Sequence, residues 1–269
     1  MSFAIQGKTA VVTGAANGVG LAIARHFVDR GANVMFADMD EAKLIAEAAG
    51  DDGEEREGVA YFAGDLREKL TVANLLSATI DRFERIDILV NASRQMIAAD
   101  PIYDEDDAVT MLLDQNLITS LRLTQAFARR MIKQAKAAGS AEAAGSIINL
   151  SSIAARRAQP NLLAYSVSSA ALDQLTRSMA VALAPHGIRV NAIALGSVMS
   201  ASLQGALKEH EEFRDEILES TPLARIAAPS ELADVAQFLA SDGSGFITGQ
   251  ILTVDGGRTL IDTADAPAH

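Results

Sequence analysis

KTAVVTGAANGVGLAIARHFVDRGANVMFAD, residues 8–38, decides the fold of this chain. Lys8–Thr13 is a run of β-branched and small apolar residues, as expected of a strand buried on both faces. Gly14, Gly18 and Gly20 punctuate the turn that follows, at a spacing that permits a tight bend and a close backbone approach to a ligand. Leu21, Ala22, Ala24, Arg25, Phe27 and Val28 then recur with helical periodicity, so the turn opens onto a helix N-terminus. Unpaired N–H groups and the positive end of the helix dipole favour a pyrophosphate there. Asn33–Ala37 reads as a second strand, and Asp38 stands at its C-terminal end, eighteen residues past Gly20. An acid in that place suits the ribose hydroxyls of NAD and repels the extra 2′-phosphate of NADP.

Outward from this unit, strand and helix patterns alternate to the end of the chain. The expectation is an α/β, Rossmann-type, doubly wound parallel sheet of seven strands with helices on both faces, in a single domain. Further strands are expected at Val59–Ala63, Ile86–Val90, Ser146–Leu150, Ile188–Ala194 and Ile251–Val254. Helices are expected over residues 40–50, 67–84, 105–138 and 164–185, the last stopped by Pro185 and Gly187. Asp51–Gly58 reads as an acidic loop, Lys208–Glu219 as one charge-rich helix, and Asp104–Asp107 as a charged helix N-terminus. The domain is placed at residues 1–262, with a tail over 263–269 that is either disordered or packed on another subunit. Ligands in such sheets bind outside the carboxyl ends of the strands. Gly14–Gly20, Asp38, Asp65, Asn91, Ser151 and Ser152 are thereby gathered on one edge.

Bulk properties narrow the function. The 269 residues suit one large domain, and the 49% hydrophobic content with 4% aromatics implies a core of Ala, Val, Leu and Ile. A net charge of −12 argues against nucleic-acid and anionic-membrane partners. The absence of cysteine removes disulfides and thiolate chemistry. No apolar run approaches the ~20 residues of a membrane span, and the N-terminus lacks a signal-peptide pattern, so the cytoplasm is expected. The four histidines lie far apart without metal-ligand spacing, with His26 fitting a helix surface; no metal site is expected.

Several motifs in order resemble the classical short-chain dehydrogenase/reductase family over nearly the full length. They are TGAANGVG (13–20), GDL (64–66), NAS (91–93), Asn116 within DQNLITS, INLSS (148–152), AYSVSSAAL (164–172), IRVNAIALG (188–196) and TGQILTVDGG (248–257). The resemblance implies an NAD(H)-dependent oxidoreductase that interconverts a secondary alcohol and a ketone. Reducing a ketone requires a hydride on one face of the carbonyl and a proton on its oxygen. A tyrosine hydroxyl can donate that proton or remove it in reverse. The resemblance places Tyr165 in that role, Ser152, thirteen residues earlier, on the carbonyl oxygen, and Asn116 in support of a water chain. It places Gly14, Asn17, Gly18, Val19, Gly20, Asp38, Asp65, Leu66, Asn91 and Tyr165 against the cofactor, with Asp65 meeting adenine. Thr248 and Gly249 read as linkers, residues 199–228 as a lid over a small alcohol or ketone substrate, and the apolar helices as the core of a homodimer or homotetramer.

Each residue also has a plainer reading. A tyrosine on an Ala/Ser-rich helix can simply be packed, strand-end serines cap turns, and Asn116 can hold a helix kink. The chain also departs from the family pattern. Where the family carries lysine four residues after the tyrosine, on the same helix face, this chain has Ser169. A phenol of reference pKa ~10 working near neutrality needs about 3–4 kcal/mol of help, and serine brings no charge. No lysine lies between Lys136 and Lys208, while Arg94, Arg156 and Arg157 fall on loops at the correct edge. Ser93 stands where the family has glycine. Leu195 stands where it has proline, which is expected to loosen the turn after the sixth strand. The alternative function is therefore a catalytically weak or inactive member, serving as a cofactor-binding or assembly subunit.

Overall fold

A computed structural model describes residues 3–49, 56–103, 107–139, 144–210 and 212–262. The stretch 50–55, most of the expected acidic loop, lies outside them, as do Asp104–Asp106 and the tail over 263–269. The chain runs β1 (Thr9–Thr13), α1 (Gly18–Asp29), β2 (Asn33–Asp38), α2 (Glu41–Ala48), β3 (Val59–Ala63), α3 (Lys69–Phe83) and β4 (Ile88–Asn91). It continues through α4 (Ala108–Leu112), a π-turn over Leu113–Ile118, α5 (Thr119–Ala137), β5 (Gly145–Ser152), α6 (Leu163–Leu183) and β6 (Ile188–Leu195). It closes with α7 (Ala201–Glu209), α8 (Glu212–Glu219), α9 (Pro229–Ala240) and β7 (Ile251–Val254).

The seven strands form one parallel sheet in the order β3-β2-β1-β4-β5-β6-β7. Strand order reverses between β1 and β4, which opens a crevice at their carboxyl ends. Alternation along each strand divides two cores. Ala10, Val12, Val34 and Phe36 pack with Ile23 and Phe27 of α1 and Leu232 and Leu239 of α9. Val11, Met35 and Leu89 pack on the opposite face with Leu75, Phe127, Met131 and Leu183 of α3, α5 and α6.

Several expectations are refined or corrected. The helical stretch expected over 105–138 runs without interruption from Ala108 to Ala137 but contains a π-turn at Leu113–Ile118, where Thr119 Oγ1 donates to the Asp114 carbonyl at 3.0 Å. The helix expected over Lys208–Glu219 is two helices, α7 beginning at Ala201 and ending before His210. The turn expected to loosen at Leu195 is instead strand: Leu195 pairs with Ser152 on one side and Val254 on the other. His26 is only partly exposed on the helix surface, its Nε2 lying 2.6 Å from Gln237 Oε1 at the α1–α9 contact. Helix α9 itself went unread in the sequence, although Pro229 at its start and Glu231, whose carboxylate accepts the Ala228 N–H at 2.9 Å, signal it.

Candidate active site

The loop after β1 shows three different uses of glycine. Gly14 has φ +66°, and a Cβ there would lie 2.7 Å from the Ala92 carbonyl oxygen. Gly20 has an ordinary φ, but its Cβ would press onto the Gly14 carbonyl, so α1 sits directly on the turn. Gly18 has φ +57°, and a Cβ there would meet only Ser200 Cβ, in ordinary contact at 3.8 Å. Asn17 N-caps α1 in extended conformation without a side-chain hydrogen bond. The first-turn N–H groups are thus left for an anion. Val19 packs partly buried against the core. Thr13 Oγ1 ties the loop to its neighbour by accepting the Ala92 and Ser93 N–H groups at 3.0 and 3.1 Å.

Asp38 closes this cradle. One carboxylate oxygen accepts the Ala16 N–H of the glycine loop at 3.1 Å, and the other accepts Met39 N–H at 2.7 Å and Asp40 N–H at 3.2 Å. The acid is fixed beside the loop, at the end of β2. Two buried polar atoms near this edge, Asn91 Oδ1 and Arg94 Nε, have no protein partner. A tight glycine turn, an uncapped helix start, a fixed acid and buried atoms awaiting partners fit a dinucleotide.

On the other side of the crevice, Tyr165 lies at the start of α6, buried with Ala108, Leu112 and Ala164 and flanked by Ile97, Ala99 and Ala154. Ser152 ends β5 and its Oγ accepts the Ala154 N–H at 3.1 Å, so it does cap the turn. Its own hydroxyl proton stays available. Ser151 is spent elsewhere: its Oγ donates to Asp173 Oδ1 at 2.5 Å in the interior. Burial pushes the Asp173 carboxyl up from its ordinary value, against the Ser151 hydrogen bond and the charges of Arg156, Arg177 and Arg94.

Asn116 projects from the π-turn. Its Oδ1 accepts Gln95 N–H at 2.9 Å, and its Nδ2 donates to Gln95 O at 2.9 Å and Ser168 Oγ at 3.2 Å. The amide is occupied by the protein on both sides, so Asn116 clamps the segment after β4 to α6 rather than offering a free group to a water chain. Asn91 likewise turns its Nδ2 inward, to Asn149 Oδ1 at 2.8 Å and Thr124 Oγ1 at 3.3 Å. Asp65 is gripped bidentately by Arg67, whose hydrogen bonds hold its carboxyl below the usual carboxylate range despite some desolvation. Its carboxylate is thus already engaged, while Leu66 is buried in the core against α3.

Arg94 was expected only as one of three arginines on loops at this edge, and the structure sets it on Tyr165. Its guanidinium carbon lies 4.8 Å from the centroid of the Tyr165 ring. Its Nη1 donates to the Ser151 carbonyl at 2.5 Å and its Nη2 to Ser169 Oγ at 3.3 Å. The other two candidate arginines point elsewhere, Arg156 to Thr253 Oγ1 at 3.1 Å and Arg157 to the Thr259 carbonyl. Ser93 Oγ accepts from Gln115 Nε2 at 3.1 Å, so the residue in the glycine position is tied to the π-turn.

Comparison with known proteins identifies the family. Residues 14–259 match the family model described as enoyl-(acyl carrier protein) reductase. The chain is 34% identical over 262 residues to cis-4-hydroxycyclohexanecarboxylate dehydrogenase of Sinomonas cyclohexanicum, covering 97% of this chain and all of that one. Among solved structures, it resembles a gluconate 5-dehydrogenase from Burkholderia cenocepacia in complex with NADP and tartrate. The TM-score is 0.86 at 32% identity, over 97% of this chain and 98% of the other. It also resembles a 7α-hydroxysteroid dehydrogenase complexed with NADH and 7-oxo glycochenodeoxycholic acid, with a TM-score of 0.84 at 28% identity over 95% of each chain. The chain belongs to the classical short-chain dehydrogenase/reductase family. It is an oxidoreductase of a family that binds a nicotinamide cofactor. Among the described residues no helix is long and apolar enough to cross a membrane.

Proposed function

We propose that the protein is an NAD(H)-dependent dehydrogenase that interconverts a secondary alcohol and a ketone. The observation that carries the cofactor choice is the Asp38 carboxylate, fixed by Ala16 N–H at 3.1 Å beside the glycine loop. A negative charge there favours two free ribose hydroxyls and opposes a 2′-phosphate. Gly14, Asn17, Gly18, Val19 and Gly20 would hold the pyrophosphate, while Asp65, Leu66, Asn91 and Tyr165 would border the adenine and nicotinamide ends. A bound nicotinamide supplies hydride transfer.

The chain's own residues handle the oxygen. Tyr165 Oη gives a proton to the carbonyl oxygen in reduction and takes it from the alcohol in oxidation. Ser152, whose Oγ accepts from Ala154 N–H at 3.1 Å, would donate its hydroxyl proton to that same oxygen. Asn116 holds the segment after β4, and through it the wall of the site. Ile97, Ala99, Val109, Ala154 and Leu162 around Tyr165 suit a moderately hydrophobic substrate. Helices α7 and α8 lie within the proposed lid over 199–228. The apolar residues that α6 leaves exposed, Val181 above all, support assembly as a homodimer or homotetramer.

A panel of cyclic secondary alcohols with NAD⁺ tests this reading. Tyr165→Phe is expected to lower turnover at least ~100-fold, within the range for a positioned acid/base. Full turnover in Tyr165→Phe overturns the assignment.

A further inference from the structure

We propose that Arg94 is a positioning residue that holds a full positive charge against the face of Tyr165, in the space that Ser169 leaves without one. The inference rests on the proposed role of Tyr165 as the acid/base. Three fixed points define the arrangement. The guanidinium carbon is 4.8 Å from the Tyr165 ring centroid, Nη1 donates to the Ser151 carbonyl, and Nη2 donates to Ser169 Oγ. Ser169 is itself 1% exposed, so this is an interior contact.

The geometry serves ionisation of the phenol. A guanidinium over an aromatic face is attracted to the neutral ring. It is attracted more strongly once the hydroxyl proton has left and negative charge has spread into the ring. An opposite charge close to a titrating group favours its charged form, and here the guanidinium carbon stands 4.8 Å from the centre of the ring that carries the hydroxyl. Arginine suits the place because its planar fork is always charged and satisfies two acceptors while stacking. The other charged groups nearby are Asp173, joined to Arg94 through Ser151, and Arg156 and Arg177, which act on Asp173. Of these only Arg94 stacks on the tyrosine.

The position of the guanidinium explains why residue 169 is small. A long side chain at 169 would enter the space occupied by Nη2, and a cation there would meet a second cation. Ser169 and Arg94 therefore form one solution, with the charge delivered from the loop after β4 instead of from the tyrosine's own helix. Ser93 and Asn116 secure that loop at either side, through Gln115 and Gln95.

The composition of the chain offers a direct test that needs no substrate. It contains three tyrosines and no tryptophan. Tyr61 and Tyr103 are exposed, so Tyr61→Phe/Tyr103→Phe leaves Tyr165 as the sole source of tyrosinate absorbance in the full-length protein. In that background Arg94→Gln, which keeps donors for Ser151, and Arg94→Met are expected to raise the midpoint of the absorbance titration. Arg94→Lys should restore most of the shift, and so should Ser169→Lys added to Arg94→Met. Ser169→Lys alone, with Arg94 in place, should lower thermal stability and bring no gain in turnover. If the methionine variant fails to fold by circular dichroism, the glutamine variant decides. An unmoved midpoint in folded Arg94→Gln overturns the proposal, as does an equal rise in Arg94→Lys, which would assign the effect to packing instead of charge. Failure of the Tyr165 assignment itself would show separately, as turnover surviving Tyr165→Phe while the absorbance shift remains.

Discussion

Replacing Gly20 with alanine separates close approach from backbone freedom in the glycine loop. Gly20 needs no special φ, so the penalty is steric. Its new Cβ would press on the Gly14 carbonyl, with the Gly14 carbon at 2.8 Å, whereas ordinary contact begins at 3.4 Å. The start of α1 must therefore retreat by roughly 0.6 Å or more, the difference between those distances. Overpacking of this kind costs about 1–3 kcal/mol, or a fall in Tm of very roughly 2–12 °C at this chain length. The retreat also moves the helix-start N–H groups. Losing one charge-assisted hydrogen bond to a phosphate costs about 1.5–3 kcal/mol, a weakening of roughly 10- to 100-fold. The assay is NADH fluorescence titration beside a thermal melt. Gly18→Ala is the control, since its Cβ meets only Ser200 Cβ at 3.8 Å and its penalty is the left-handed backbone, about 1–2 kcal/mol. Gly20→Ala should lose NADH affinity by the larger factor. An unchanged affinity in Gly20→Ala would refute the argument that α1 presses its N-terminus onto the phosphate turn.

Two charged groups give pH-dependent predictions of opposite sign. Burial raises the Asp173 carboxyl above its ordinary 3.8, so the stability linked to its protonated form is full below that value and is lost as pH rises through the raised one. Asp173→Asn keeps an acceptor for Ser151 and should flatten the stability curve on that rising side, checked by urea melts at stepped pH. Glu231 is instead lowered to about 2 by the Arg225 hydrogen bonds and the Ala228 N–H. Its contribution is present above 4.5 and disappears as pH falls from there toward 2. Glu231→Gln should remove that acid-side loss, at a small cost near neutrality because the pair is exposed.

The sheet was legible because its strands are apolar runs bounded by glycines and acids, and the seven lie where Thr9–Thr13 and its successors suggested. The glycine loop and Asp38 were legible for the same local reason: spacing along thirty residues fixes them. The π-turn at Leu113–Ile118 was not, since it depends on Asn116 reaching Gln95 and Ser168 across the fold. The break before His210 lacks glycine or proline to announce it. Arg94 was visible as a residue on the right edge, but its target was hidden. Its partners Ser151 and Ser169 lie 57 and 75 residues away, and only the packing of β5 and α6 brings them together. The motif position at 169 thus suggested a missing charge, whereas the folded chain places one beside the same tyrosine.

The most direct test of the central claim is a fluorescence titration of the purified protein with NADH and then NADPH. The account predicts that NADH binds at least ~10-fold more tightly, about 1.4 kcal/mol, and that Asp38→Ser narrows the difference. Equal or tighter binding of NADPH would contradict the role of Asp38, and binding of neither would contradict the assignment as an NAD(H)-dependent dehydrogenase.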